Sequence, residues 1–167
     1  MLKLAVDVYY NNNTAKAIAI LFKNWQDENP AQIISKSLSD IQPYEPGSFY
    51  KRELPCIMAL LESIDINQLE LIIIDGYVYL DDQNRLGLGG HLYQSLDKVV
   101  PIIGVAKTKF HNNTKNVKEI KRGLSKRPLF VSSIGMDIDS AADYIQSMSG
   151  DHRIPDLLKQ LDRLTKE

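Results

Sequence analysis

Residues 71–76 read Leu-Ile-Ile-Ile-Asp-Gly, an apolar run that closes on an acidic residue and a glycine. A run this short and continuous is typical of a strand that is buried on both faces of a sheet. Upstream of it, a largely apolar first strand is predicted over residues 3–10 and a helix over residues 48–63. A strand, a helix and a buried strand at 69–75 imply a right-handed crossover, which places the buried strand parallel to the first one.

The other elements follow from periodicity and turn signals. The asparagines at 11–13 predict a tight turn, so residues 14–23 pair back on the first strand as a hairpin. Pro55 suggests that the true helix starts near Leu54, because proline is favoured in a first helical turn. Further strands are predicted at 31–38, 101–107, 117–122 and 129–134, and further helices at 91–98, from Asp139-Ser140 to about 149, and at about 155–165.

Three acidic residues stand where a metal site built on strands would need them. Asp7 interrupts the first apolar strand, Asp75 ends the buried one, and Glu53 lies on the helix between them. A carboxylate buried in an apolar strand is costly unless it is paired, hydrogen-bonded or bound to a metal. Each acid alone has an ordinary structural explanation, and a divalent cation shared by all three carboxylates is one explanation for the set. Three antiparallel strands, added parallel strands and flanking helices predict a ribonuclease H-like α/β fold with a mixed sheet.

Composition narrows the class of protein. The chain has 167 residues, enough for one domain over 1–167, and a net charge of −1, so no overall field attracts nucleic acid or membranes. Its single cysteine, Cys56, excludes an internal disulfide framework and a multi-cysteine zinc site. Asp7 breaks the only candidate signal peptide, and no apolar run approaches ~20 residues, the length of a membrane span. We therefore expect a cytoplasmic protein without a membrane partner.

A proline-rich segment resembles the signature of a known family. Pro43-Tyr44-Glu45-Pro46-Gly47 is followed by Arg52-Glu53. The endonuclease V family usually has proline-tyrosine-isoleucine-proline-glycine at this point and then arginine-glutamate at the same distance. The family also has its first metal aspartate early in a first strand, as at Asp7, and an aspartate-glycine after an apolar strand, as at Asp75-Gly76.

The likeness continues along nearly the whole chain, with the segments in the correct order. No single segment is specific, but the ordered set is. The further matching segments are Arg85-Leu86-Gly87, His91, Gly104-Val105-Ala106-Lys107, Ile120-Lys121-Arg122, Pro128-Leu129-Phe130-Val131, Asp139-Ser140-Ala141 and Arg153-Ile154-Pro155.

The resemblance implies a metal-dependent endonuclease that cuts DNA or RNA near a deaminated base, typically inosine. On this chain, Asp7, Glu53 and Asp75 would hold Mg²⁺ or Mn²⁺, hard cations that suit oxygen ligands. Lys107 would contact the scissile phosphate as a point charge. The nucleic acid itself would be the partner.

The resemblance also implies how the base is held. Tyr44 would act as a wedge in the strand beside a flipped-out base. The residues that would line the base pocket are Gly47, Phe49 and Gly76, where two missing side chains let the backbone approach.

The chain departs from the family pattern on the substrate side. Glu45 replaces an isoleucine in the wedge, and Tyr77-Val78 replace the usual histidine-glycine. Asp7 comes almost at once, where the family usually has a helical segment before its first strand. The family's late glycine-histidine has no clear counterpart, and either Asp137 or Asp139 is expected to supply a fourth acid. Two alternatives therefore stay open: a nucleic-acid-binding protein with weak or no activity, and a metal-dependent nuclease with another substrate.

Basic residues are concentrated between Lys118 and Arg127. Such a stretch is more often a solvated hairpin than a binding surface. Beside a nuclease cleft, the same residues would contact phosphates and make binding sensitive to salt.

Overall fold

The computed structural model of the chain describes residues 1–39, 41, 43 and 50–167. In this described part, three consecutive strands are followed by helices and strands in alternation, and then by two more strands and two helices. The strands are β1 Leu2–Asn11, β2 Thr14–Phe22, β3 Gln32–Leu38, β4 Leu69–Asp75, β5 Ile102–Ala106, β6 Lys118–Ile120 and β7 Leu129–Ile134. The helices are α1 Tyr50–Leu61, α2 Leu88–Ser95, α3 Ile138–Ser147 and α4 Asp156–Lys166, with a 3₁₀ turn at Ile66–Gln68.

All the strands join one mixed sheet in the order β3-β2-β1-β4-β5-β7-β6. β1, β2 and β3 pair antiparallel, β1 pairs parallel with β4, and β4 pairs parallel with β5. β7 returns antiparallel beside β5, and β6 pairs antiparallel with β7. The crossover inferred from the apolar run at 71–76 is therefore present, and the predicted ribonuclease H-like fold class is confirmed.

Helices cover both faces of the sheet, because the apolar residues of the central strands alternate between two cores. Ile72 and Ile74 of β4 belong to a core under α1 and α2, whereas Leu71 and Ile73 belong to a core under α3 and α4. No helix in the described ranges combines the length and the apolar composition that crossing a bilayer requires.

Three predicted helix boundaries were wrong. α1 begins at Tyr50 rather than near Leu54, so Pro55 lies inside it, and the burial of Glu53, Cys56 and Ile57 compensates for the backbone donor that proline lacks. α2 begins three residues before the predicted start at 91, because the N–H groups of its first glycines donate to carbonyls at the exit of β4. α3 begins at Ile138 rather than at Asp139-Ser140. Its cap is Asp137, whose side chain accepts a hydrogen bond from the Ser140 N–H.

A buried arginine ties the end of β6 to the segment between α3 and α4. The Arg122 side chain is 3% exposed. Its two terminal nitrogens donate to the carbonyl oxygens of Met148 at 2.5 Å, His152 at 2.6 Å and Gly150 at 3.1 Å. One planar guanidinium thus satisfies three carbonyls that no helix or strand uses.

We predict that Arg122→Met lowers the free energy of unfolding by about 3 kcal/mol, because it leaves buried carbonyls without donors. Lys121→Met is the matched control, since it changes the neighbouring exposed side chain in the same way and should shift stability by no more than about 0.5 kcal/mol. Urea unfolding measures the stability of both variants. Equal midpoints would show that the hydrogen bonds of Arg122 do not stabilise the fold.

Candidate active site

Asp7 and Asp75 lie side by side on neighbouring parallel strands. The last pair in the register of β1 and β4 is Val6 with Ile74, so the two aspartates are the next residues on each strand. Each aspartate lies two residues after a residue of the core under α3 and α4, which is Ala5 on β1 and Ile73 on β4. Side chains two residues apart on a strand point to the same face of the sheet. The two carboxylates therefore point to the α4 face of the sheet.

Glu53 approaches these aspartates from the opposite side of the sheet. It lies on α1, which packs on the other core, and it is only 7% exposed. β4 ends at Asp75, whereas β1 continues to Asn11 along β2. Beyond Asp75 the flank of β1 is therefore open on the β4 side, and this opening lets an acid from α1 interact with acids on the α4 face.

Burial, followed by neighbouring negative charge, raises the pKa of all three carboxyl groups. Burial first, and then the Asp75 charge, raise the pKa of Asp7 to about 7. Burial, followed by the charges of Asp7 and Asp75, raises the pKa of Glu53 to about 9. The pKa of Asp75 is raised by loss of solvation as well, although one side of this residue remains exposed. The site therefore favours positive charge, from a proton or from a cation.

Positive side chains partly offset this repulsion. The Arg52 guanidinium lies 3.6 Å from the centre of the Tyr10 ring and lowers the pKa of Glu53. Lys107 follows β5 and lowers the pKa of both Asp7 and Asp75. The shifts of the acids remain upward, so these two cations do not neutralise the group.

The structure also brings in an acid that the sequence did not indicate. Asp162 of α4 lines a small cavity together with Asp7, Asp75 and Lys107, and its charge raises the pKa of both aspartates. Its carboxylate accepts a hydrogen bond from Lys166 at 3.1 Å. The only signal in the sequence was its place at the border of the apolar stripe of an amphipathic helix.

Asp137 and Asp139, the two residues expected to supply a fourth acid, have other partners in the structure. Asp137 caps α3 and accepts from the N–H and the hydroxyl of Ser140 at 2.9 and 3.1 Å. Asp139 forms an ion pair with Lys118 at 2.8 Å on the surface. Both carboxylates therefore serve α3 and its contact with β6, and Asp162 is the acid beside Asp7 and Asp75.

The donor set fits a hard divalent cation by its chemistry. Carboxylate oxygens in a partly desolvated, negatively charged site are the ligands that Mg²⁺ and Mn²⁺ prefer. In the described part of the chain, no three His, Cys, Asp or Glu side chains are arranged to hold a metal ion as they stand. One Asp7 oxygen instead accepts a hydrogen bond from the Val8 N–H at 2.9 Å. Side-chain rotation would therefore have to accompany binding of a cation by Asp7, Glu53 and Asp75.

A larger cavity of about 530 Å³ opens beside Asp75 and Lys107. Gly76 lines it in a backbone conformation with φ of +135°, which side chains other than glycine rarely adopt. The opposite walls include Tyr50, Leu80 and Phe110. A cavity of this size, mostly apolar and next to charged groups, is typical of a site for a small molecule or a group of similar size. Of the residues predicted to hold a base, Gly76 lies here, whereas Tyr44, Gly47 and Phe49 fall outside the described residues.

Comparison with known sequences gives a consistent result. The sequence model of the family described as Endonuclease V matches residues 4–126. The endonuclease V of Nostoc punctiforme is 28% identical over 156 residues, which cover 80% of this chain and 68% of that protein.

Solved structures agree on the fold. The crystal structure of endonuclease V from Streptomyces avermitilis superposes with a TM-score of 0.75 at 24% identity, covering 99% of this chain and 80% of that one. A Ciona intestinalis endonuclease V, solved in complex with a DNA that contains an inosine followed by a ribo-adenosine, gives a TM-score of 0.78 at 18% identity, covering 99% and 84%. At these identities, the likeness shows the fold alone.

We predict that stability falls as pH rises when a chelator keeps divalent cations away. In the unfolded chain Asp7 and Glu53 lose their protons near pH 3.8 and 4.5, whereas in the folded chain they keep them to about 7 and 9. The folded state therefore binds more protons between about pH 4 and pH 9, and its stability declines across that window.

Glu53→Gln removes one of these groups, so its melting temperature should exceed that of the wild type by a few degrees at pH 8 and match it near pH 4. Thermal unfolding in EDTA from pH 4 to pH 9 measures the difference. A wild-type melting temperature that does not decline over this range would contradict the raised pKa of Asp7 and Glu53.

Proposed function

The chain belongs to the endonuclease V family, and we propose that it is a metal-dependent endonuclease that hydrolyses a phosphodiester near a deaminated base, such as inosine, in DNA or RNA. The observation that carries the proposal is the cluster of Asp7, Glu53 and Asp75, in which burial, and then negative charge from within the cluster, raises the pKa of Asp7 and Glu53. Acids crowded in this way are unfavourable for folding and are typical of sites with a function.

In this proposal, Asp7, Glu53 and Asp75 hold Mg²⁺ or Mn²⁺. The bound cation would activate water at neutral pH and stabilise the negative charge that develops on the phosphate. Once a cation displaces its proton, Glu53 would contribute charge that solvent cannot screen, because this residue is almost completely buried. Asp75 is the most accessible of the three acids and faces both cavities, so it would lie nearest to the substrate.

Lys107 is proposed to orient the phosphate. It is exposed, it lines the cavities on both sides of Asp75, and its charge acts on Asp7 and Asp75. An ammonium at this position would hold the scissile group against the acids as a point charge. Asp162 faces the same space from α4, where it would orient water or take part in holding the cation.

The cavity beside Gly76 is proposed to receive the deaminated base. Its volume suits a flipped-out nucleobase, and its apolar walls would favour stacking over solvation. The Tyr77 hydroxyl does not face a ligand, because it donates to the Thr108 carbonyl at 2.5 Å and accepts from the Phe110 N–H at 3.1 Å. This tyrosine, which replaces the usual histidine, would therefore stabilise the wall of the pocket.

One observation favours a second candidate function, a nucleic-acid-binding protein without cutting activity. No three acidic side chains of the described residues have an arrangement ready to bind a metal. If rotating the Asp7 side chain away from the Val8 N–H costs more free energy than cation binding contributes, the chain would bind nucleic acid without cutting it.

We predict that the wild-type protein nicks a strand containing inosine in Mg²⁺ or Mn²⁺, and that Asp75→Asn lowers the nicking rate roughly 10³-fold, because a metal ligand is lost. The matched control is Asp97→Asn, which removes one exposed carboxylate in the turn before β5 and should leave the rate unchanged. A denaturing gel with inosine-containing and unmodified strands of DNA and of RNA measures the rates and the substrate preference.

Calorimetric titration of Mn²⁺ into the same three proteins separates the two candidate functions. The endonuclease requires binding to the wild type and to Asp97→Asn, with at least about tenfold weaker binding to Asp75→Asn. Nucleic-acid binding without metal binding in all three proteins would overturn the proposal in favour of the inactive binding protein.

A further inference from the structure

The loop between β6 and β7, residues 121–128, is held rigidly in place. The buried Arg122 fixes its start through three carbonyl oxygens. The Gln146 side chain donates to the Lys121 carbonyl at 2.9 Å. Gly123 has φ of +59° and packs against the Asp151 carbonyl so closely that a Cβ would overlap it. A loop fixed in this way presents its remaining side chains in a defined direction.

The side chains that it presents are one apolar residue and three cations. Leu124 is 101% exposed, the highest value among the large apolar residues of the described part. Lys121, Lys126 and Arg127 are exposed as well. Among the described residues, no carboxylate forms an ion pair with any of these three, whereas Lys118 nearby is paired with Asp139. The loop therefore carries positive charge that the protein itself leaves available.

The loop lies on the Lys107 side of the acid cluster. β5 and β7 pair antiparallel with Ala106 opposite Phe130, so the residue after one strand and the residues before the other lie at the same end of the sheet. The Arg153 guanidinium bridges this end, because it donates to the carbonyl of Lys107 and, at 2.8 Å, to that of Pro128. Burial lowers the pKa of Arg153, and the charge of the nearby Arg127 lowers it further. Positive groups thus continue from Lys107 to the loop.

We propose that loop 121–128 is a docking surface for the phosphate backbone of the nucleic acid beyond the cutting site, with Leu124 as an apolar contact to the sugars or bases. This inference rests on the proposed function. The charge favours a polyanion, and the chain has a net charge of −1, so attraction to phosphates has to come from a local surface of this kind. A fully exposed leucine on a rigid loop gains contacts only when a partner covers it.

The test measures how binding depends on salt. Fluorescence anisotropy of labelled DNA and RNA duplexes in EDTA, where cutting is prevented, gives the dissociation constant between 50 and 300 mM KCl, a range of roughly sixfold in salt. The double variant Lys126→Gln/Arg127→Gln should flatten the slope of log K against log salt by about 1.8 for duplex DNA, because two phosphate contacts are lost. Lys23→Gln/Lys98→Gln is the matched control, since it removes two exposed cations at the opposite end of the central strands and should keep the wild-type slope.

Leu124→Ser should give a different signature. We expect binding weakened about fivefold at every salt concentration, with an unchanged slope, because a partly covered leucine contributes without charge. If the loop double variant and its control give the same slope and affinity while the wild type binds and nicks, the docking surface is refuted and the nuclease stands. A wild type that binds neither duplex would overturn the proposed function together with this inference.

Discussion

Repulsion among the acids at the end of β4 is the constraint on which the arrangement of this protein depends. Asp7, Glu53 and Asp75 interact where β1 runs on past β4, and burial denies Asp7 and Glu53 most of the solvent that would screen their charges. Two positive side chains from neighbouring elements partly offset that repulsion. Arg52 is held over the Tyr10 ring beside Glu53, and Lys107 lies at the end of β5 beside the two aspartates. Neither side chain cancels the increase in the pKa of the acids. The site therefore favours a further positive charge, which a bound metal ion would supply.

The sequence allowed the frame of this site to be predicted, because that frame depends on local patterns. A continuous apolar run ending in Asp75-Gly76 requires a buried strand, and one helix before it allows only a parallel partner with the usual crossover. That reasoning predicts Asp7 beside Asp75, and the register of β1 and β4 agrees. The start of α1 could not be predicted in the same way. A proline in the sixth helical position is unfavourable locally, and only the burial of neighbouring residues against the sheet makes it acceptable.

Asp162 shows a second limit of sequence reasoning. Asp137 and Asp139 are close in sequence to a matched segment, but local structure uses both of them, one as a helix cap and one in an ion pair. Asp162 reaches the cluster only because α4 folds back across β1 and buries Leu157 and Leu161 against it. That packing is a long-range contact between the last helix and the first strand. Periodicity predicts the helix and its apolar stripe, but it does not give the depth or angle at which the stripe docks.

The C-terminal third of the chain joins the acid cluster to the proposed substrate surface through two arginines. Arg122 holds the segment that leads into α4, and thereby the helix that carries Asp162. Arg153, at the end of the same segment, holds the backbone of Lys107 and the end of the basic loop together. Both side chains donate to backbone carbonyls, so their effect is on the positions of other residues and not on a ligand directly. A nuclease must hold negative groups against a phosphate and positive groups around it within a few ångströms. In this chain Asp7, Glu53 and Asp75 come from the first half of the sequence, whereas Lys107 and the basic loop come from the second half. Sheet pairing brings the two halves together, and the hydrogen bonds from Arg122 and Arg153 to backbone carbonyls fix the second set in its place.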